Sequence, residues 1–453
     1  MSRSTTRPLP LRRSAGALAL GAGLLLAGLQ PAHAETTPEG GFSELPRSEQ
    51  DQVLKDEGLT RGDVTREDAL QKLRGSTDAD FYSTPAQLPA TNGDVVRSEP
   101  STFYVDPVKL IKPNASATRV MYKTTNSKNQ AVPASGTVLQ SKNAWRKSSP
   151  RPLVVLSPGT QGMGDSCAPS RQLAMGTNYE GINVSGLVNA GYNVVVPDYI
   201  GLGTEGTHTY MNRVDQAHAV LDAVRAAQRL GVKGMDATTP VAAVGYSQGG
   251  GATASAVESA SEYAPELQLK SAWVGAPPAD LAATGKKIDS TLFTGLSLYV
   301  MGAAQDAGVD VRGKLNADGQ RRYDKAQDSC VIGTVLGEAL VRSTKLTTDG
   351  RSFSQLLGDP ELKAYLDEQT NGAAGRHPRV PVRIAHGLTD DVVPYQAGRN
   401  LAKDWCASGT NVSMQTLATP THLGGYVEGI PSMLAYLDAR FNGIPQTSSC
   451  WRL

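Results

Sequence analysis

Short apolar runs alternate with longer amphipathic stretches through the middle of the chain, and this alternation restricts the fold more than any other feature. The runs at 153–157, 193–197 and 241–245 are rich in valine and are too short for helices. The stretch 214–230, between the last two runs, places apolar residues on one face at helical spacing. Strands that are apolar along their whole length are typical of a parallel sheet covered on both faces. The sequence therefore predicts an α/β fold with a doubly wound, mostly parallel sheet.

The alternation fails for about a hundred residues and then resumes with the apolar run at 380–387. Between these points the apolar patterns are helical, so this part of the chain is an insertion between two strands of the sheet. We expect a mainly helical cap at 277–379. The catalytic domain would then be assembled from residues 105–276 and 380–453.

The first 34 residues have the layout of an export signal. Four arginines precede an apolar run at 15–29, and Ala32-His33-Ala34 follows as a cleavage site of small residues. The run is shorter than the roughly 20 residues that are needed to cross a bilayer. We therefore expect residues 1–34 to be removed near Ala34 and the mature protein to be secreted.

Residues 35–104 are polar and charged, and we expect an N-terminal extension that packs on the surface or is removed as a pro-segment. Short helices are predicted at 47–58 and 65–75, and a hairpin is predicted from the β-branched runs at 119–124 and 133–140. Beyond the signal, 40 basic residues face 43 acidic ones. This near balance gives no reason to expect a nucleic acid partner.

All four cysteines lie beyond the signal, at positions 167, 330, 406 and 450. An even number of cysteines in an exported protein favours two disulfides. The absence of any C-x-x-C spacing argues against a metal site. Spacing alone leaves all three pairings of Cys167, Cys330, Cys406 and Cys450 open.

The pattern Gly245-Tyr246-Ser247-Gln248-Gly249 follows one of the apolar runs and precedes a helix rich in small residues. A serine nucleophile on a tight turn from strand to helix requires glycine two residues before and two residues after it. The helix that begins there also favours the negative charge that develops during acyl transfer. We predict that Ser247 is a nucleophile; the alternative is a glycine-rich bend that lets a helix pack closely on the sheet.

A serine nucleophile needs a base, and His422 is the best placed histidine. It follows the strand-like segment 411–417 and precedes the closing helix at 432–441, so it lies in a loop at the carboxyl end of a strand. The other histidines lie in the signal, in a polar loop, beside an apolar helix stripe, before the serine or in a turn. In the same order, these histidines are His33, His377, His218, His208 and His386.

The acid that orients the base is predicted in the loop after the penultimate strand, which contains Asp390 and Asp391. We favour Asp390, with Asp391 as a solvated neighbour. The chain order Ser247, Asp390, His422 is the order of an α/β-hydrolase triad.

With these three residues in place, the chain resembles the secretory lipase family of α/β-hydrolases, which contains the lipase A type. The resemblance covers roughly residues 105–450 and implies the α/β-hydrolase fold with an inserted helical cap. Four segments carry it: "SPGTQGMGDSCAPS" at 157–170, "VPDYIGLGT" at 196–204, "GYSQGGGAT" at 245–253 and "HGLTDDVVP" at 386–394.

The resemblance also implies how the oxyanion would be stabilised. One backbone N–H would come from the loop after the run at 153–157, at Thr160 or Gln161, and the other from Gln248. An aspartate of this loop assists in some relatives, which suggests Asp165, although the spacing to "CAPS" differs here.

The family pattern further favours the pairs Cys167–Cys330 and Cys406–Cys450. The first pair would tie the oxyanion loop to the cap, and the second would fix the C-terminus. Apolar residues of the cap either line an acyl pocket or form the core of the cap itself. These residues are Phe293, Leu296, Leu298, Tyr299 and Met301.

The sequence thus predicts a secreted serine carboxyl-ester hydrolase that acts on acyl esters, above all triacylglycerols or similar lipids. This chemistry calls for no metal and no cofactor. The expected partners are a lipid or ester substrate and a transient lipid interface, with no obligate protein partner and no nucleic acid. Two alternatives are a secreted exopeptidase on the same fold and a catalytically inactive hydrolase fold that serves as a binding module.

Overall fold

The structure is a computed structural model of the 453-residue chain, and it describes residues 46–56, 79–145, 147 and 149–453. The predicted export signal at 1–34 and the predicted helix at 65–75 lie outside the described residues.

The described residues contain one nine-stranded sheet with the strand order β1-β2-β3-β5-β4-β6-β7-β8-β9. Pairing is antiparallel from β1 through β3 to β5, and it is parallel from β5 through β4 to β9. This confirms the predicted α/β fold. The strands are β1 (Val95–Ser101), β2 (Ala115–Thr125), β3 (Ala131–Ser141), β4 (Leu153–Ser157), β5 (Asn193–Ile200), β6 (Val241–Tyr246), β7 (Leu269–Gly275), β8 (Val382–Gly387) and β9 (Val412–Leu417).

The edge of the sheet includes residues that the sequence analysis assigned to an N-terminal extension. Strand β1 pairs with β2, so the sheet begins about ten residues before the expected boundary at 105. Its polar sequence, VVRSEPS, is that of an exposed edge strand, which explains why no apolar run marked it. Two helices precede it, α1 (Arg47–Asp56) and α2 (Ala79–Tyr82). The predicted hairpin is formed by β2 and β3.

Side chains of the central strands alternate between two hydrophobic clusters, because successive residues of a strand point to opposite faces. In β4, Leu153 and Val155 pack on one face, whereas Val154 and Leu156 pack on the other. The first face is covered by α5 (Arg213–Arg229), α6 (Gln248–Tyr263) and α13 (Tyr395–Ala407). The second face is covered by α3 (Pro169–Met175), α4 (Gly181–Asn189) and α14 (His422–Phe441).

Residues 277–379, called here the insertion, connect β7 to β8 and contain six α-helices within the described chain. The insertion has a hydrophobic cluster around Tyr299, Phe353 and Leu366, which also includes three residues from outside the insertion. Its return to the sheet is held by Glu258 of α6, which accepts hydrogen bonds from Asn371 and Gly372. The six helices are α7 (Leu281–Ile288), α8 (Gly295–Asp306), α9 (Ala317–Ala326), α10 (Val331–Gly337), α11 (Phe353–Leu356) and α12 (Pro360–Glu368).

Two disulfides are present, and they are the pairs that the family resemblance implied. Cys167–Cys330 ties the segment after β4 to the insertion, and Cys406–Cys450 ties α13 to the C-terminal turn. Within the described part of the chain, no helix is both long enough and apolar enough to cross a membrane.

Candidate active site

Ser247 lies between the last residue of β6 and the first residue of α6, at the carboxyl edge of the parallel strands. Its backbone has φ 59° and ψ −126°, a conformation that residues other than glycine rarely adopt. The Ser247 N–H donates to the carbonyl of Gly275 at 3.0 Å, which holds the turn in place. Such strain in a non-glycine residue is found most often where function requires an exposed, fixed side chain.

The glycines around Ser247 are required by close backbone contacts. A Cβ at Gly245 would lie 2.2 Å from the carbonyl oxygen of Gly249, and a Cβ at Gly249 would lie 2.0 Å from that of Ser157. Both distances are far below a van der Waals contact, so the strand-turn-helix unit cannot close with larger residues. The turn therefore explains the glycine spacing of the sequence motif physically.

Asp390 and His422 form a hydrogen bond across the carboxyl ends of β8 and β9. Nδ1 of His422 lies 2.7 Å from Oδ2 of Asp390. The other oxygen of Asp390 accepts the N–H groups of Val392 and Val393 at 2.9 Å and 2.8 Å, which fixes the carboxylate. Burial alone would raise the pKa of Asp390, but the charge and hydrogen bond of His422 outweigh it and lower the pKa. Asp390 is thus ionised, and Nδ1 of His422 carries the proton.

Asp391 has a different position from its neighbour. Its carboxylate accepts the backbone N–H of His422 at 2.6 Å rather than contacting the imidazole ring. The hydroxyl of Tyr246 donates to the carbonyl of His422 at 2.8 Å, so the backbone of this histidine is held from both sides. Thr421 before it has φ 67° and caps the first turn of α14.

Ser247 and His422 line the same cavity of about 380 Å³, together with Thr160 and Gln161. Nε2 of His422 is buried and has no hydrogen-bond partner among the residues that the structure describes. The imidazole is therefore oriented by Asp390 but is not bonded to the serine hydroxyl in this structure.

The loop after β4 offers backbone N–H groups to this cavity. The Gly159 N–H donates to Glu180 at 2.8 Å, and the Gln161 side chain donates to the carbonyl of Gly159 at 3.1 Å. The N–H groups of Thr160 and Gln161 have no hydrogen-bond partner in the described chain. Gln248 occupies the first position of α6, where a helix leaves its N–H groups unpaired.

Glu180 is a buried carboxylate that sequence reasoning did not single out. It accepts hydrogen bonds from Gly159, from the hydroxyl of Tyr426 at 3.1 Å and from Asn183. Burial raises its pKa, and these bonds act in the opposite direction. Its contacts are with residues that are distant in the sequence, so no local pattern could reveal its role in shaping the loop.

Asp165 does not reach the site that the resemblance suggested for it. Its carboxylate accepts the Gly203 N–H at 3.1 Å, in the loop after β5, and Asp165 is not among the residues that line the cavity. Asp165 begins the 3-10 turn at Asp165–Cys167 instead.

A second, narrow cavity of about 50 Å³ also begins at Ser247 and extends into the insertion. Its described lining has no Asp, Glu, Lys, Arg or His, and it includes Leu296, Val300 and Met301. Phe293 and Leu296 line the larger cavity. Leu298 and Tyr299 line neither cavity and are buried in the core of the insertion, which is the second of the two roles expected for them.

The remaining described histidines have structural contacts. His208 is stacked on Tyr199, and burial lowers its pKa to about 4. His218 is stacked on Tyr263, and the exposed His377 bonds to a carbonyl in its own turn. The fourth, His386, lies behind Asp390.

His386 places its Nε2 3.7 Å from Oδ2 of Asp390 and 3.2 Å from the carbonyl of Val393. Burial lowers its pKa to about 4, although Asp390 acts in the opposite direction. The neutral ring donates to Val393 and fills the space behind the carboxylate. Sequence reasoning attributed His386 to the turn alone and missed this contact.

A strained serine between a parallel strand and a helix, at the same sheet edge as an imidazole bound to a buried carboxylate, defines the α/β-hydrolase class. A family model described as secretory lipase matches residues 167–449 of this chain. The match covers more than half of the sequence. The chain therefore belongs to the secretory lipase family, and it is an enzyme of the lipase class.

Two curated relatives illustrate the range of this family. A protein of Malassezia globosa named secreted triacylglycerol lipase LIP7 is 27% identical over 397 residues, which cover 84% of this chain and 82% of the relative. A Mycobacterium tuberculosis protein named probable inactive lipase MT1628 is 27% identical over 401 residues, 85% of this chain and 87% of the relative. The secreted relative and the two disulfides are consistent with an extracellular location.

Among solved structures, the X-ray structure of Candida antarctica lipase A matches with a TM-score of 0.70 at 24% identity. The match covers 82% of this chain and 88% of that structure. The similarity confirms the α/β-hydrolase fold.

Proposed function

We propose that this protein is a secreted serine carboxyl-ester hydrolase that cleaves acyl glycerols through an acyl-enzyme, with Ser247, Asp390 and His422 as its triad. The observation that carries the proposal is the 2.7 Å contact between His422 and Asp390 at the cavity that contains the strained Ser247. Triacylglycerols are the substrate named for one of the relatives, and the apolar cavities suit the same chemistry.

The first half of the reaction makes the acyl-enzyme. Nε2 of His422 accepts the Ser247 proton while Oγ attacks the ester carbonyl, and Asp390 stabilises the imidazolium that forms. The backbone N–H groups of Thr160 or Gln161 and of Gln248 stabilise the oxyanion, at about 3 kcal/mol for each donor. The bond to the alcohol oxygen then breaks, and that oxygen takes the proton from Nε2.

The second half releases the acyl group. A water molecule gives a proton to Nε2 of His422 as its oxygen attacks the acyl carbon. As the tetrahedral intermediate collapses, Nε2 of His422 returns this proton to Oγ of Ser247 and the carboxylic acid is released. Nε2 of His422 has no hydrogen-bond partner in the described chain, so it is free to accept the Ser247 proton.

The two cavities suggest which part of the substrate each one holds. The alcohol receives its proton from His422, which lines the larger cavity and not the narrow one. The acyl chain then extends into the narrow cavity of the insertion, whose lining is free of charged side chains. In this arrangement the glycerol portion and the open mouth of the larger cavity lie on the same side of Ser247.

An exopeptidase would need carboxylates free to hold a substrate amine. The acidic groups that line the larger cavity are Glu180 and Asp391, and both carboxylates already accept backbone N–H groups. Hydrolysis of p-nitrophenyl butyrate, compared with aminoacyl p-nitroanilides, tests this directly. Faster cleavage of the anilides would overturn the esterase proposal.

A relative is named a probable inactive lipase, so activity itself needs a test. The expected result is covalent labelling of the purified protein by a fluorophosphonate probe, with complete loss of labelling in Ser247→Ala. An unlabelled but folded protein, judged by its circular dichroism melting curve, would favour an inactive binding module.

We also propose export through the predicted signal at 1–34. N-terminal sequencing of the protein recovered from culture medium should give Glu35 or a residue further along the chain. Recovery of a protein that still begins at residue 1 would contradict the signal.

A further inference from the structure

The loop between β1 and β2 exposes three large apolar side chains within four residues. Val108, Leu110 and Ile111 are exposed to 73%, 83% and 56% respectively. Single apolar residues are common on protein surfaces, but a cluster with this exposure marks a site of interaction. Residues 106–112 are called here the 106–112 loop.

The 106–112 loop is held in one conformation, so the exposure does not come from a frayed segment. The Asp106 carboxylate accepts the N–H groups of Leu110 at 3.0 Å and Ile111 at 2.6 Å. The carbonyl of Ile111 accepts the Val105 N–H at 3.0 Å, which closes the base of the loop. A rigid tip loses little conformational entropy when it binds, and this favours a docking role.

Two lysines lie beside the apolar tip. The ammonium groups of Lys109 and Lys112 lie 5.5 Å and 5.8 Å from the centroid of the Tyr104 ring. The one carboxylate of the loop, Asp106, is already occupied by backbone N–H groups. The loop therefore combines an apolar tip with a positively charged base, an arrangement that suits insertion among acyl chains with the lysines at anionic headgroups.

The 106–112 loop packs beside a segment that lines the larger cavity. Asp106 packs so closely on Gly176 that a Cβ at Gly176 would lie 2.0 Å from the Asp106 carbonyl oxygen. The residue before the loop, Val105, lies against Gly181. Between and after these glycines, Thr177 and Ile182 line the cavity, and Ile182 is 62% exposed. The base of the loop thus lies beside the segment 177–182, part of which lines the cavity.

Exposed apolar side chains also line the larger cavity along α14. Leu423 and Val427 line the larger cavity and are 42% and 60% exposed. These exposed side chains lie at the mouth through which we propose that the glycerol portion enters.

We propose that the 106–112 loop, together with Ile182, Leu423 and Val427, docks the protein on an anionic phospholipid surface. The loop inserts its apolar tip, and Lys109 and Lys112 bind the headgroups. The benefit to catalysis rests on the proposed function, but docking itself requires no turnover.

The test measures sedimentation with vesicles of phosphatidylcholine alone and of phosphatidylcholine mixed with about one third phosphatidylglycerol. It uses the mature chain with Ser247→Ala, so that hydrolysis cannot alter the vesicles. The expected result is preferential binding to the mixed vesicles, weakened by salt, with roughly tenfold or greater loss in Leu110→Ser/Ile111→Ser. The change Lys109→Gln/Lys112→Gln should remove the preference for the mixed vesicles.

Ile444 provides a matched control, since its exposure of 56% equals that of Ile111. It lies near Gln446, which donates to the carbonyl of Val382 at the amino end of β8, opposite the catalytic edge. The change Ile444→Ser should leave vesicle binding intact. Equal losses in the control and the loop variant would overturn the proposal.

Three further outcomes would also overturn it: no vesicle binding by the parent protein, equal binding to both vesicle types, or unchanged binding in the loop variants. Sedimentation velocity tests a fourth outcome. If the parent protein is a dimer and the loop variants are monomers, the surface joins two copies of the chain and the proposal is overturned. Folding of the variants is checked by hydrolysis of p-nitrophenyl butyrate with Ser247 restored, which should be unchanged. If no ester is hydrolysed but vesicle binding persists, the proposed function fails and the docking surface stands.

Discussion

Asp390 contacts the imidazole of His422, with 2.7 Å between its Oδ2 and Nδ1 of the histidine. The adjacent Asp391 accepts the backbone N–H of the same histidine. Two neighbouring carboxylates are thus divided between the ring and the main chain. Only the first can select the tautomer in which Nε2 is free to accept a proton, so Asp390 is the carboxylate that the proposed mechanism requires.

Replacement of each aspartate by asparagine should separate these two contacts. Asp390→Asn is expected to lower kcat by about 10³ to 10⁴-fold, because an amide no longer stabilises the imidazolium or fixes its tautomer. In Asp391→Asn the amide oxygen can still accept the His422 N–H, so kcat should fall by less than about tenfold. The measurement is kcat for p-nitrophenyl butyrate. A larger loss of kcat in Asp391→Asn than in Asp390→Asn would show that Asp391, and not Asp390, has the proposed role.

The strained backbone at Ser247 should have a measurable cost in stability. At φ 59° and ψ −126°, glycine is far less strained than residues with a side chain. Ser247→Gly is therefore expected to raise the free energy of unfolding by about 1 kcal/mol relative to Ser247→Ala. Both variants should be inactive. Urea unfolding of the pair gives the difference, and equal stabilities would argue against strain at this turn.

The close contact at Gly249 predicts a different result from that at Gly251, two residues further along α6. Gly249→Ala places a Cβ 2.0 Å from the carbonyl of Ser157, and the backbone on both sides is rigid, so activity should be lost with the turn. Gly251→Ala meets the end of the flexible Met211 side chain at 2.8 Å. Hydrolysis of p-nitrophenyl butyrate should largely survive in this second variant, and equal losses would contradict the steric argument.

Local sequence patterns were sufficient for the buried parallel strands, but not for the exposed edge strand or for contacts between distant segments. The apolar runs predicted the buried parallel strands, and the structure confirms the α/β fold. It also brings Ser247 and His422 to one cavity, although their catalytic roles stay a prediction. Glu180 and His386 could not be found in this way, because their partners at Gly159 and Asp390 are set by tertiary packing. The polar edge strand β1 escaped notice because exposure had removed its apolar pattern.

The narrow cavity should determine preference for acyl chain length. Val300 is partly buried in its lining, so Val300→Phe is expected to narrow the channel and lower kcat/KM for long acyl esters more than about tenfold relative to butyrate. Val427→Phe adds the same volume at the exposed mouth of the larger cavity and serves as the control. Rates are measured over acyl chains from about two to about eighteen carbons, spanning the acetate-to-stearate range in which a hydrophobic pocket discriminates by chain length.

The parent protein is expected to prefer medium or longer chains in the same measurement. Activity confined to acetate esters would overturn the lipase assignment of the substrate and leave an esterase. An unchanged chain-length profile in Val300→Phe would show that the acyl chain lies elsewhere.

His386 should make the stability of the fold depend on pH. Burial lowers its pKa to about 4 in the folded protein, whereas an unfolded chain has a histidine pKa of about 6.5. Between these values the unfolded chain binds a proton that the folded protein does not, so acid favours unfolding at this residue. The contribution of His386 is therefore present at neutral pH and is lost as the pH falls from about 6.5 to about 4.

Since other buried groups, such as Asp198, titrate with the opposite sign, the parent must be compared with His386→Asn. The advantage of the parent in free energy of unfolding should shrink by up to about 1.4 kcal/mol per pH unit in this range. Urea unfolding at several pH values measures this change, and parallel curves would mean that folding does not shift the pKa of His386.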